Sequence, residues 1–401
     1  MNICITNTDS NPNWIGGIKR VAYILGNEWR KKGHNVVFMS LCTSPDKYDN
    51  IHGIPQYFLP DDSSLQLLNS EQNYRFLMEF IHAHQIDILL NPFCNTPEMV
   101  ALCARIRANS QVKLVSALHF AVTHQLDIIR QSFFIKNKQG TIVKRYFRDL
   151  LLWLRFVFIS KRKIIKAERN QYRDVYDSSD LTVLLSNRFF PDFKKLLRKQ
   201  IDPSKLIAIN NPILPIAHEP KQKKEKIILW CGRVEYGQKR LDRMLNIWEY
   251  LWQRHPDWQL LVLGGGNANR FEELCNVRNI RNITFAGFQN PDDYYARASI
   301  LCMTSVSEGW GMVLVEAQSY GCVPIAYNSF ASLGDIITND ENGIIVPAFD
   351  ERQYIERLNT LMNNQDYLEH MSTAAQRSVA RFYASDIAAL WLKEFENIKT
   401  S

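Results

Sequence analysis

The stretch Ser299-Ile-Leu-Cys-Met-Thr304-Ser-Val-Ser-Glu308-Gly-Trp-Gly311-Met312-Val-Leu-Val-Glu316-Ala-Gln-Ser-Tyr320-Gly321 holds two carboxylates eight positions apart. Ser299 to Thr304 reads as a buried parallel strand, Gly309 and Gly311 loosen the chain after it, and Met312 to Tyr320 reads as a helix stopped by Gly321. A second apolar run follows at Val323 to Tyr327. Strand, glycine-rich turn, helix and strand make one repeat of a doubly wound parallel sheet, whose ligands sit beyond the carboxyl ends of its strands. Such a helix begins at the mouth of the sheet, where its free N–H groups and positive dipole end attract a diphosphate. Side chains in its first turns lean back toward that end, so Glu316 reaches the mouth. Glu308, in the loop before the helix, faces the same cavity from another height. One carboxylate is then placed for ribose hydroxyls and the other for sugar hydroxyls. Two solvated surface acids at this spacing are an ordinary chance occurrence, so the rest of the chain has to decide.

Outward from this stretch the pattern repeats. Asn2 to Thr6, Val36 to Ser40, Ile86 to Leu90, Val112 to Ala117 and Leu181 to Leu185 read as parallel strands in the first half. Between the first two, Ile18 to Lys32 carries Val21, Ile24, Leu25 and Trp29 on one helical face, and Gly33 ends it. Ile227 to Trp230, Leu260 to Leu263, Ile283 to Ala286 and Gly343 to Val346 continue the pattern in the second half. Two doubly wound α/β sheets follow, as expected for 401 residues, more than one core usually holds. The proline- and charge-rich run from Asn210 to Glu225 suits the connection between them.

The net charge of +7 is concentrated. Twelve Lys or Arg against two acids lie between Lys136 and Arg173, interleaved with the aromatic run Leu150 to Ile159. That run is too short to span a bilayer but suits its interface, so an anionic membrane surface is the expected partner of residues 136–173, with a core helix bearing a basic face as the alternative. No recognisable nucleic-acid-binding motif accompanies these charges, and nucleic acid is not expected as a partner. The eight cysteines show no spacing for zinc or a redox dithiol and read as structural. Without a signal segment or an apolar run of about eighteen residues, the chain is expected in the cytoplasm, peripheral on the inner membrane at most.

Four segments together resemble the retaining glycosyltransferases of family 4, whose fold is called GT-B. Glu308 and Glu316 match an acid-x7-acid motif with glycines between; Gly16-Gly17-Ile18, ahead of the first helix, is similar to a phosphate-contacting loop. Ser116-Ala-Leu-His119-Phe120 ends an apolar run as the family's active-site histidine segment does. Cys231-Gly232-Arg233 with Gln238-Lys239-Arg240-Leu241-Asp242 is similar to its basic donor-binding motif. The matches occur in the family's order and span most of the chain. One departure is that six positions separate Arg233 from Lys239 where many relatives have five, which leaves Arg240 able to share or take the role.

The resemblance implies two facing Rossmann-like domains with an interdomain cleft. Residues 1–212 would form the acceptor side, with helix 381–401 packing back on it, and residues 213–380 would bind the nucleotide-sugar donor. It implies that Gly16, Gly17, Arg233, Lys239, Gly311, Met312 and Glu316 hold the donor, that Glu308 positions the transferred sugar, and that His119 lies close to it. His124 is the weaker histidine candidate and is not assigned. No metal and no cofactor beyond the donor are expected. The expected reaction moves a hexose or N-acetylhexosamine, with retention, from a nucleoside diphosphate, expected to be UDP, to a glycan or polyprenyl-lipid-linked glycan of a surface polysaccharide. A sugar-nucleotide epimerase of the same fold and a non-catalytic nucleotide-binding membrane adaptor are the alternatives. The epimerase would need acid and base groups on both faces of the sugar carbon.

Overall fold

A computed structural model describes residues 1–8, 17–41, 48–61, 64–132, 150, 154, 161–216 and 223–400. The chain divides into two compact units. The first comprises Met1–Val122, Ile165–Leu214 and Phe382–Ser401, and the second Thr123–Ile164 and Pro215–Arg381.

Among the described residues the first unit is built on an eight-stranded sheet of β1 (Asn2–Asn7), β2 (Asn35–Ser40), β3 (Asn50–Ile51), β4 (Ile54–Phe58), β5 (Ile88–Asn91), β6 (Lys113–Leu118), β7 (Leu181–Leu184) and β8 (Leu206–Ala208). Its order is β3-β4-β2-β1-β5-β6-β7-β8. All pairs are parallel except β3 with β4. The central strands are mostly apolar and buried, as expected of parallel strands covered on both faces, and Ile3, Cys4, Ile88 and Leu89 are fully buried. Helix Gly17–Lys31 buries the face read from sequence, including Trp29, fully buried near its carboxyl end. The last helix, Ala384–Thr400, packs on it: Trp29 Nε1 donates to the Ala388 carbonyl at 3.1 Å, and the Trp391 and Phe395 rings lie 6.3 and 5.3 Å from the Trp29 ring. Each such aromatic pair adds about 0.5–1.5 kcal/mol beyond the area buried.

The second unit has a six-stranded, all-parallel sheet of β9 (Glu225–Cys231), β10 (Gln259–Leu263), β11 (Ile283–Gly287), β12 (Ala298–Met303), β13 (Val323–Tyr327) and β14 (Ile344–Val346), in the order β11-β10-β9-β12-β13-β14. The order reverses between β9 and β12. That reversal opens a crevice at the carboxyl ends of these two strands, where ligands of doubly wound sheets bind. Arg233 follows β9, and Glu308 lies in the loop after β12.

Residues 123–164, assigned from sequence to the first domain, group with the second unit. The physical reason is visible at Gln131, whose side chain and carbonyl are held by Arg243 and Arg240. Most of the basic 136–173 stretch, including the aromatic run's Trp153 and Phe156 to Ile159, lies outside the described residues. In its described part, helix Lys161–Ser178, Arg169 Nε donates to the Leu196 carbonyl and Arg173 Nε to that of Leu197, at 2.9 and 2.8 Å. These two cations thus satisfy the last carbonyls of helix Phe190–Leu197. Lys161, Arg162, Lys163 and Lys166 are exposed.

Candidate active site

Gly311 sets the geometry after β12. Its φ of +87° is left-handed, and it caps helix Met312–Ser319 without a side-chain bond to the first N–H groups. Met312 is the first helical residue and Glu316 sits one turn further in. Tyr295 donates its hydroxyl to Glu316 Oε2 at 3.1 Å, and both side chains are buried. Burial holds the Tyr295 phenol well above its usual range, so it stays a donor to that carboxylate.

The loop before the helix is stitched to the segment after β9. Val306 N donates to the Gln238 carbonyl at 2.8 Å. Gln238 Nε2 donates to the Ser307 carbonyl at 2.8 Å and to Glu308 Oε2 at 3.2 Å. The Thr304 hydroxyl accepts from Trp230 Nε1 and faces the carbonyls of Lys239 and Arg240, every distance being 3.0 Å. On this framework Lys239 Nζ meets Glu308 Oε1 at 2.6 Å, with side chains 18 and 9% exposed. The stem of Lys239 runs over Gly232, close enough that a β-carbon there would sit 3.4 Å from Lys239 Cδ.

The two carboxylates and two cations named from sequence are within electrostatic reach of shared neighbours. Cys231, the last residue of β9, feels both Glu316, which raises its thiol pKa, and Lys239, which lowers it; burial dominates and pushes it up to about 11. His124 feels Glu308, Lys239, Arg233 and Glu235, again with burial as the largest influence, and its pKa is lowered. Its Nδ1 lies 3.4 Å from Ser307 Oγ. His124 is not assigned from sequence; the signal available there is its place just past the carboxyl end of β6. Arg233 is 64% exposed, its Nη1 3.7 Å from Glu235 Oε2.

Arg240 does not share the role left open for it. It takes a left-handed φ of +53°, is 2% exposed, and is clamped by Asp242 through two bonds of 2.8 Å. Such a guanidinium has no freedom to follow a ligand.

In the first unit His119 directly follows β6 and is half-buried. Its Nδ1 is buried without a hydrogen-bond partner among the described residues, and burial lowers the ring pKa to about 4, so the imidazole is neutral at physiological pH. Gly17 opens the first helix; a β-carbon there would meet nothing within 4 Å, so packing does not explain that glycine. Gly16 lies outside the described residues. A groove of about 740 Å³ lies between the first helix and the β3–β4 hairpin, lined by Asn7, Lys19, Tyr23, Phe38, His52 and Phe93 among others. Asn7 Oδ1 and the Tyr23 hydroxyl in its wall have no hydrogen-bond partner among the described residues, and the Tyr23 and His52 rings lie 4.5 Å apart.

The chain matches two family descriptions that together span most of its length: "Glycosyltransferase Family 4" over residues 15–214 and "Glycosyl transferases group 1" over residues 216–378. It is 28% identical over 188 residues to an uncharacterized glycosyltransferase of Haemophilus influenzae, covering 45% of this chain and 52% of that protein. It is also 28% identical over 173 residues to the amylovoran biosynthesis glycosyltransferase AmsD of Erwinia amylovora, covering 42 and 48%. The matched region spans about half the length of these relatives. Among solved structures, HepE of Anabaena in complex with UDP and glucose superposes with a TM-score of 0.74 at 12% identity, covering 99% of this chain and 100% of that one.

Proposed function

Because the chain belongs to the group 1 glycosyltransferases, with a family 4 amino-terminal half and the GT-B fold, we propose that it moves a hexose or N-acetylhexosamine from a nucleoside diphosphate to a glycan or polyprenyl-linked glycan in surface-polysaccharide assembly. UDP is the carrier proposed first, and retention the stereochemical outcome. The observation that carries this reading is the Lys239–Glu308 pair beside the β9–β12 crevice, with Glu316 and Arg233 in electrostatic reach of its neighbours.

In this reading the amide groups of helix Met312–Ser319 and the Lys239 and Arg233 cations stabilise charge developing on the departing diphosphate. Glu316, oriented by Tyr295, takes the ribose hydroxyls. Glu308 takes the sugar hydroxyls, and its carboxylate lies where positive charge grows on the anomeric carbon in an oxocarbenium-like state. Since Glu308 is engaged by Lys239 and Gln238, it is assigned as a positioning group and not as a nucleophile. Same-face displacement follows, the departing phosphate oxygen taking the proton of the acceptor hydroxyl. His119, as a neutral imidazole, serves as a hydrogen-bond partner to a sugar hydroxyl. The first unit's groove is proposed for the acceptor, because unpaired polar atoms beside aromatic rings suit a polyhydroxylated ligand. The exposed Lys161, Arg162, Lys163 and Lys166 are proposed to meet anionic lipid, and binding to anionic liposomes at low salt that fades as salt is added would bear this out.

Among the described residues no helix is long and apolar enough to cross a membrane. The primary test is a thermal-shift screen with UDP-glucose, UDP-galactose, UDP-N-acetylglucosamine, UDP-N-acetylgalactosamine and GDP-mannose, followed by calorimetry on the best donor. Glu316→Ala is expected to weaken its binding by roughly tenfold or more, the worth of a hydrogen bond to a charged group. No shift with any nucleotide sugar would end the donor reading, and conversion of the donor without release of nucleoside diphosphate would replace transfer by epimerisation.

A further inference from the structure

Helix His124–Ser132 is pinned to the second unit near its far end. Arg243 Nη2 donates to Gln131 Oε1 at 2.7 Å, and Arg240 Nη1 donates to the Gln131 carbonyl at 3.1 Å. All three side chains are buried. Neither guanidinium can swing: Arg240 is forked onto Asp242, and Arg243 lies 4.0 Å over the Phe349 ring. A helix fixed at Gln131 has its first turn fixed as well, ~10 Å away.

The residue delivered there is His124. Its ring faces Ser307, which is fully buried and whose carbonyl accepts from the same Gln238 amide that donates to Glu308. The imidazole is therefore packed on the loop that carries Glu308. Nucleotide-binding groups lie on other elements: Arg233 after β9, and Glu316 on the helix after β12.

On the reading that this pocket takes a nucleotide sugar, we propose that His124 is a positioning residue that sets sugar preference. It holds Ser307, and through that loop the height at which the Glu308 carboxylate meets the sugar, without adding to nucleotide affinity. A contact that places one carboxylate against ring hydroxyls discriminates between epimers, whose hydroxyls differ only in direction.

The test compares wild type with His124→Ala, His124→Asn and Gln131→Ala, using calorimetry with UDP and acceptor-free UDP release from the four UDP-sugars named above. For His124→Ala the UDP affinity is expected to stay within about twofold of wild type. Its kcat/KM with the preferred sugar should fall roughly tenfold or more, and the preference over the C4 epimer should narrow. His124→Asn, whose amide can replace the Nδ1 contact, should recover part of both. Gln131→Ala should shift preference in the same direction by less, because the Arg240 bond to the backbone carbonyl remains.

Equal losses of UDP affinity and turnover in His124→Ala would reduce the residue to a structural role and overturn the proposal, as would unchanged sugar preference. Should His124→Ala fail to fold, unchanged preference in both other variants overturns it equally. Wild type that binds none of the four UDP-sugars by calorimetry and releases UDP from none of them overturns this proposal together with transfer from UDP-sugars. Release by wild type with no change in the variants overturns this proposal alone.

Discussion

Glu308→Gln is expected to slow turnover of the nucleotide-sugar donor by roughly 10²–10³-fold, the usual cost of deleting one preorganised electrostatic group facing developing charge. The same variant is expected to bind UDP more tightly. The second effect follows from the ion pair. In the absence of donor, the cation proposed for the diphosphate is neutralised at 2.6 Å by the acid proposed for the sugar. Both ends are shielded from water, so the attraction is not screened as an exposed pair would be. An incoming diphosphate has to share Lys239 or take it. A glutamine at 308 keeps the shape but releases the charge, and one charge-assisted contact regained by phosphate is worth about 1.4 kcal/mol, or tenfold in affinity. Turnover and product affinity should therefore move in opposite directions. Weaker UDP binding by the variant would show that the pair does not compete with phosphate, and wild-type turnover would remove Glu308 from the sugar site.

Coupling of this kind explains why the members of the candidate site read from sequence one by one while their contacts do not. Glu308, Lys239 and Glu316 stand in motifs whose spacing places each after a strand or at a helix start. Their mutual contacts join positions 69 or more apart or depend on rotamers, and neither leaves a trace in local pattern. The sheets were readable for the opposite reason. Parallel strands covered on both faces are largely apolar runs, and β1, β2, β5, β6, β7, β9, β10, β12, β13 and β14 announced themselves so, whereas the edge strand β11 is only partly buried. The β3–β4 hairpin escaped because β3 spans two residues and β4 carries Pro55; β8, with three residues, is too short for any period to register. The attachment of residues 123–132 to the second unit escaped because it depends on Gln131 meeting Arg240 and Arg243, 109 and 112 positions away. Arg240 itself misled: a basic residue next to Lys239 invites a ligand role. Only the left-handed backbone and the fork onto Asp242 reveal a brace.

Substitutions in the triplet Gly264-Gly265-Gly266, which follows β10, are expected to separate its members sharply. Gly264 has a φ of +146°, and a β-carbon on it would lie 1.8 Å from the carbonyl oxygen of Gly232. Neither backbone can yield. Gly232 N donates to the Leu263 carbonyl at 2.9 Å, Gly264 N to that of Gly287 at 2.8 Å, and Val234 N to that of Gly265 at 2.8 Å. Gly264→Ala therefore forces apart two segments that these bonds hold, at a cost above about 4 kcal/mol, which marks the severe end of single substitutions. In a unit of this size that corresponds to a fall in melting temperature of about 10 °C. Gly266, with φ +131° and a β-carbon 2.7 Å from the Val234 carbonyl oxygen, should suffer less, and Gly265→Ala should be nearly silent because its β-carbon meets only the Phe288 side chain at 3.9 Å. The expected order of melting temperatures is thus Gly265→Ala, then Gly266→Ala, then Gly264→Ala, read by differential scanning calorimetry. The segment under pressure is Gly232-Arg233-Val234, which carries one of the cations proposed for the donor and lies under the stem of the other. Any Gly264→Ala protein that remains folded should accordingly bind UDP more weakly than wild type. A Gly264→Ala protein melting with wild type would mean that the close approach to Gly232 is not held in solution, and the placement of Arg233 and Lys239 on that turn would lose its support.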